Sequence, residues 1–181
     1  MNLPNKLTLL RILLIPFFVI FAKMGSFGMQ LVAVAIYIVA CVTVALDGRI
    51  ARAWNLVTNF GKFMDPIADK LLVMSAMVVL TYQHRIPDWV CILMLAREFM
   101  VSGLRLVAVQ GGRVIAAGPL GKLKTVFQMI STIALLLLVP VDGPGDAPAV
   151  FANVLMYIAL VLTIVSGADY IVRNRDCIRD M

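Results

Sequence analysis

Six stretches of the chain, near 7–23, 29–50, 61–82, 87–109, 121–140 and 150–172, are long and predominantly apolar, and about 20 such residues are what a helix needs to cross a bilayer. No other feature restricts the fold as much, because a backbone in hydrocarbon has to satisfy its own N–H and C=O groups. The breaks between the stretches fall at Gly25-Ser26-Phe27-Gly28, at Asn55 to Asn59, at His84 to Pro87, at Gly111-Gly112 and at Pro140 to Pro148, all rich in turn formers or charges. The pattern predicts an all-α integral membrane protein, a single domain over 1–181 with six transmembrane helices. Composition agrees: 62% of residues are hydrophobic and 14% charged, beyond the range of soluble domains. The first run leads into Pro16 and bulky residues rather than a small-residue cleavage site, so the N-terminus is expected to be retained. Residues 1–8 alternate polar with apolar, which suits either a short interfacial segment or an ordinary helix start.

Charge distribution sets the expected orientation. With both termini cytoplasmic, every Lys and Arg except Lys23 and Arg85 falls on the inner side, and the outer loop near 141–148 holds Asp142 and Asp146 without a basic residue. Cys41, Cys91 and Cys177 are far apart, odd in number and in no CxxC pair, so neither a disulfide framework nor a zinc site is expected. The one histidine, His84, sits beside Arg85 in a turn and reads as a loop residue.

Several of the inner charges lie within apolar runs, where they are costly and signal a polar cavity. Asp47, Gly48, Ala51, Arg52, Gly61, Asp65 and Asp69 form the spacing D-G-x2-A-R-x8-G-x3-D-x3-D. Asp65 and Asp69 are four apart, so on a helix they share a face and repel each other unless a cation joins them. A divalent ion held by this pair and by Asp47 meets that need. Carboxylates without His or thiolate favour Mg2+ or Mn2+ over zinc, and magnesium commonly completes its shell with substrate phosphates. Gly48 and Gly61 allow close approach to the backbone, Arg52 can grip a phosphate with its forked donors, and Pro66 predicts a kink or a nearby helix start. The plainer alternative is a membrane-edge charge network in which Lys62 and Lys70 pair with the two carboxylates.

With these residues the chain resembles the CDP-alcohol phosphatidyltransferases, whose signature is D-x2-D-G-x2-A-R-x8-G-x3-D-x3-D. The likeness extends over Pro4-Asn5-Lys6-Leu7-Thr8 with Arg11, Ala53-Trp54-Asn55, Thr58-Asn59-Phe60-Gly61-Lys62-Phe63 and Asp65-Pro66-Ile67-Ala68-Asp69-Lys70. Further on, Ala96-Arg97-Glu98-Phe99, Ser102-Gly103-Leu104-Arg105 and Gly121-Lys122-Leu123-Lys124-Thr125 are similar to the bacterial branch that takes glycerol phosphate. The resemblance implies six membrane helices, a homodimer in the inner (cytoplasmic) membrane, membrane lipids as surroundings, no nucleic-acid partner, and a site open to the cytoplasm. It implies transfer of a phosphatidyl group from CDP-diacylglycerol to sn-glycerol 3-phosphate with release of CMP. It also implies that Asp47, Asp65 and Asp69 bind the metal, that Asp69 is the general base, and that Gly48, Ala51, Arg52 and Gly61 line the CDP part. One signature position departs: Val44 stands where the first Asp belongs, and supplies no oxygen. Thr43 beside it points about a third of a turn away and is a poor substitute.

For the acceptor phosphate, Arg105 and Lys122 are the first candidates, and Arg97 and Lys124 could converge on the same place. The alternative for the outlying cations is a positive-inside belt against anionic lipid, which suits Arg173, Arg175 and Arg179. Three other functions compete: a relative using another alcohol acceptor, a non-catalytic CDP-diacylglycerol binder in consequence of Val44, and a transporter with charges along its path. No inverted repeat is seen, and a transporter has no use for the D-G-x2-A-R spacing.

Overall fold

The apolar runs become helices. In a computed structural model the backbone is described over 3–53, 59–110, 118–139 and 147–174, and side chains over 5–44, 61, 64–109, 118–139 and 148–174. The helices are α1 (Leu3–Lys23), α2 (Phe27–Ala53), α3 (Asn59–Tyr82), α4 (Asp88–Gln110), α5 (Pro119–Leu138) and α6 (Ala147–Arg173). Gly25, with φ of 70°, makes the left-handed turn between α1 and α2 without the steric cost a Cβ brings. Pro16 and Pro66 lie inside α1 and α3, so Pro66 does not mark a helix start.

Among the described residues, four helical stretches are long and apolar enough by composition to cross a membrane: Asn5–Lys23, Phe27–Val44, Pro119–Leu138 and Pro148–Arg173. The other two, α3 and α4, are of similar length but hold Lys62, Asp65, Asp69 and Lys70 in one, and Asp88, Arg97, Glu98 and Arg105 in the other.

The N-terminal residues do not form a separate interfacial segment, because the helix is continuous from Leu3. Asn5, Thr8, Arg11, Ile15, Phe18 and Ala22 recur every three or four residues and are buried as one stripe. That stripe packs on α2 and α3, with the Phe18 and Tyr37 rings 5.5 Å apart. Leu13, Phe17 and Ile20 on the opposite face are exposed. Outward-facing apolar side chains of this kind recur on every helix, an arrangement water would penalise and lipid does not. The α5 helix has the reverse of a water-soluble pattern: Lys124, Gln128, Ser131 and Thr132 face inward while Leu123, Val126, Ile130 and Leu137 face outward. Against it, α6 presents small residues, Ala152, Ala159, Thr163 and Ser166, which let the two helices approach closely.

Side-chain contacts fix the helix directions. At one end Thr8 meets Asp65 and Arg11 meets Thr43 and Asp69; at the other, Gln83 reaches Ala22, and Gln30 and Arg85 reach the end of α5. Successive helices therefore alternate in direction. The second end is closed by a polar clamp over helix C-termini, whose last carbonyls have no partner within the helix. Gln83 Nε2 donates to Ala22 O at 2.6 Å, and Gln30 Nε2 to Leu136 O at 3.1 Å. Arg85 Nη1 donates to Leu135 O and Leu136 O at 2.9 and 3.1 Å. Arg85, expected as an outer-loop charge, is thus buried, and burial lowers its guanidinium to about 10, so it stays protonated at neutral pH. His84, with φ of 54°, is exposed in this turn.

Candidate active site

The end of the bundle opposite the clamp gathers the acids and bases. On α3, Asp65 and Asp69 are one turn apart, as their spacing predicts, and both side chains are partly exposed. Each is met by a residue of α1. Thr8 Oγ1 donates to Asp65 Oδ1 at 2.5 Å, and Arg11 Nη1 donates to Asp69 Oδ1 at 2.7 Å. Thr8 and Arg11 are three apart, so they present to α3 at nearly the pitch of the two carboxylates. Arg11 Nε also donates to Thr43 Oγ1 at 3.3 Å, while Thr43 donates to Ala40 O at 2.7 Å. Thr43 is thereby committed within α2, and Val44 beside it is half-buried and brings no oxygen.

Sequence reasoning placed neither Thr8 nor Arg11 at the carboxylates. The signal was available: Asn5, Thr8 and Arg11 form a polar stripe at helical spacing on an otherwise apolar helix. Of the remaining motif residues, Gly61 is buried in α3. The side chains of Asp47, Ala51 and Arg52, and the surroundings of Gly48, lie outside the described residues, although α2 carries their backbone.

The four cations assigned to an acceptor phosphate separate into two groups. Arg97 Nη1 donates to Glu98 Oε1 at 3.0 Å, and Lys124 Nζ pairs with the same oxygen. Arg97 Nη2 donates to Ser166 Oγ at 3.0 Å, and its stem lies against Gly167, where an added Cβ would come within 3.1 Å of Arg97 Cγ. A larger residue at 167 would force that arginine aside. Lys124 is buried, so this cluster ties α4, α5 and α6 together from inside. Arg105 Nε donates to the Tyr170 hydroxyl at 3.3 Å, its guanidinium lies 5.5 Å from the Tyr170 ring centroid, and its side chain is half-exposed. Lys122 is exposed. Arg105 and Lys122 therefore remain accessible to a phosphate, whereas Arg97 and Lys124 are engaged with Glu98.

Among the described residues no group of three or more His, Cys, Asp or Glu comes together as a cation site. The α3 helix supplies two carboxylates to the described part of the site. Two hard oxygen donors a turn apart fit magnesium or manganese and are unlike a zinc site.

A polar end bearing paired carboxylates and exposed cations, on a bundle whose outer surface is apolar, defines an integral membrane protein built to handle a charged group at the lipid boundary. The chain belongs to the CDP-alcohol phosphatidyltransferase family, whose profile matches residues 1–165. It is 41% identical over 191 aligned residues to the CDP-diacylglycerol–glycerol-3-phosphate 3-phosphatidyltransferase of Bacillus subtilis, covering 98% of this chain and 97% of that one. It is 42% identical over 175 residues to a probable phosphatidylglycerophosphate synthase of Mycobacterium tuberculosis, covering 95% of this chain and 81% of the other. A Salmonella paratyphi A relative, also named CDP-diacylglycerol–glycerol-3-phosphate 3-phosphatidyltransferase, is 38% identical over 99% of this chain and 98% of its own.

Proposed function

We propose that the chain is a phosphatidylglycerophosphate synthase, transferring the phosphatidyl group of CDP-diacylglycerol to sn-glycerol 3-phosphate and releasing CMP. The single observation that carries the reading is the pair Asp65 and Asp69, partly exposed one turn apart and each held by a residue of α1, at the polar end of an apolar bundle. Relatives bearing that activity in their names, aligned over almost the whole chain, support it.

Asp47, Asp65 and Asp69 would hold a Mg2+ or Mn2+ ion. Such an ion supplies charge neutralisation for the diphosphate and for the leaving CMP. Asp69 accepts the proton of the attacking hydroxyl, whose oxygen forms a bond to the phosphatidyl phosphorus as the bond from that phosphorus to CMP breaks. Gly48, Ala51, Arg52 and Gly61 receive the CDP part. Arg105 and Lys122 bind the acceptor phosphate, Arg105 being steadied by Tyr170 through Nε with its remaining donors left for the ligand. Arg97 and Lys124 act at a distance, by holding α4 and α5 in register. Val44 removes one carboxylate from the ligand set, so turnover of this chain is low for the reaction it performs.

The charge distribution supports both termini and the site facing the cytoplasm; six spans in the inner membrane and assembly as a homodimer belong to the same reading. The test of the acceptor is to identify the lipid formed from labelled CDP-diacylglycerol in the presence of glycerol 3-phosphate, inositol phosphate or serine. Phosphatidylglycerophosphate from the first alone is expected. A product formed equally well from another alcohol would contradict the assignment.

A further inference from the structure

We propose that Arg11 is a resident counter-ion of the α3 carboxylates, a positioning residue that holds Asp69 in the ion-free protein and against whose charge a divalent cation has to bind. The inference rests on the reading of Asp47, Asp65 and Asp69 as a cation site. Arg11 is only 1% exposed, and its side chain brings a planar, cationic guanidinium to the end of the bundle. A buried charge is tolerated when it is paired and hydrogen-bonded, and here the partners come from two other helices, Asp69 Oδ1 from α3 and Thr43 Oγ1 from α2. Thr43 is itself anchored on Ala40 O, so Nε is held on the α2 side while Nη1 is held on the α3 side.

Asp65 is held differently, by the neutral hydroxyl of Thr8. The two carboxylates are therefore held unequally, Asp65 by a neutral donor and Asp69 by a cation. This arrangement relieves the repulsion between acids at i and i+4, and it ties α1, α2 and α3 together at this end of the bundle. It has a cost for binding, since a cation approaching Asp69 meets a like charge at short range, and that repulsion is stronger near a protein interior than in water. With Val44 in place of a further carboxylate, less negative charge offsets it.

The sign of the effect separates this role from ordinary structural support. A contact that merely orients Asp69 helps the ion, and removing it weakens binding; a resident positive charge opposes the ion, and removing it tightens binding. The experiment measures Mn2+ affinity by electron paramagnetic resonance of the free ion, using the purified full-length chain and its Arg11→Gln and Arg11→Lys variants. Arg11→Gln, which keeps a donor and loses the charge, should bind Mn2+ about tenfold more tightly, and Arg11→Lys within about threefold of the parent. Equal or weaker binding by Arg11→Gln, with clear binding by the parent, overturns the inference alone. Absence of binding in parent and variant overturns the cation-site reading and the inference with it. If Arg11→Gln does not fold, Thr43→Val removes the Nε anchor and leaves the charge: affinity within about twofold of the parent supports the resident charge, and a tenfold loss contradicts it.

Discussion

A carboxylate at the end of an apolar bundle is stable only if something answers its charge, and the residues that answer are harder to read than the carboxylates themselves. Asp65 and Asp69 announce themselves through their spacing, since two acids sharing a helix face in a lipid-soluble chain need a reason. Thr8 and Arg11 lie more than fifty residues away in the chain, and no local pattern states which helix face meets α3. Glu98, although part of the Ala96-Arg97-Glu98-Phe99 stretch, had no assigned role for a similar reason. Its importance arises from Lys124, on another helix, and without that pairing Arg97 and Lys124 resemble phosphate ligands as much as Arg105 does. The two groups of cations should now separate by experiment. Arg105→Ala removes a charge-assisted phosphate contact worth about 1.5–3 kcal/mol, so the KM for glycerol 3-phosphate should rise roughly tenfold or more while that for CDP-diacylglycerol is little changed. Lys124→Ala leaves Glu98 short of a partner in the interior. Arg97 still meets Glu98, so the loss is smaller than that of a whole buried pair, and a lower thermal unfolding temperature in detergent is expected. A Lys124→Ala protein with unaltered melting and only a raised KM for glycerol 3-phosphate would return Lys124 to the acceptor site.

The helices were legible because a run of about 20 apolar residues leaves the chain few alternatives. Their bounds depart from the apolar runs by no more than four residues. What hydropathy averages hide is which side of a helix is which. On α5 the polar residues Lys124, Gln128, Ser131 and Thr132 recur at helical spacing and face inward, whereas amphipathic reasoning trained on water-soluble proteins puts such a stripe outside. The same averaging explains why α3 and α4 fall short as membrane spans by composition alone: apart from Asp88 at the start of α4, their charges lie at the carboxylate pair, the Glu98 cluster and Arg105. The clamp of Gln30, Gln83 and Arg85 was not legible either, because it serves carbonyls at the ends of α1 and α5 that become neighbours only after folding.

Seen whole, the molecule has two unlike ends, one with acids and exposed cations, the other with a clamp of polar side chains that donate to helix carbonyls. In the proposed orientation, which follows the distribution of Lys and Arg, the acidic site and position 115 both face the cytoplasm. In a background freed of native cysteines, Ile115→Cys should therefore react with an impermeant maleimide only after the cells are opened; labelling of intact cells would invert the proposed orientation. The central claim, that carboxylates of α2 and α3 bind an ion and drive phosphatidyl transfer with one ligand missing, is most directly tested by CMP release. The purified chain and its Val44→Asp variant are given CDP-diacylglycerol, glycerol 3-phosphate and Mg2+ or Mn2+, with and without chelator. Release that requires both substrates, ceases with chelator and rises at least about tenfold in Val44→Asp is the expected result, since a restored ligand strengthens both ion binding and charge neutralisation. Release that persists in excess chelator, or that is equally fast in the two proteins, would contradict the account.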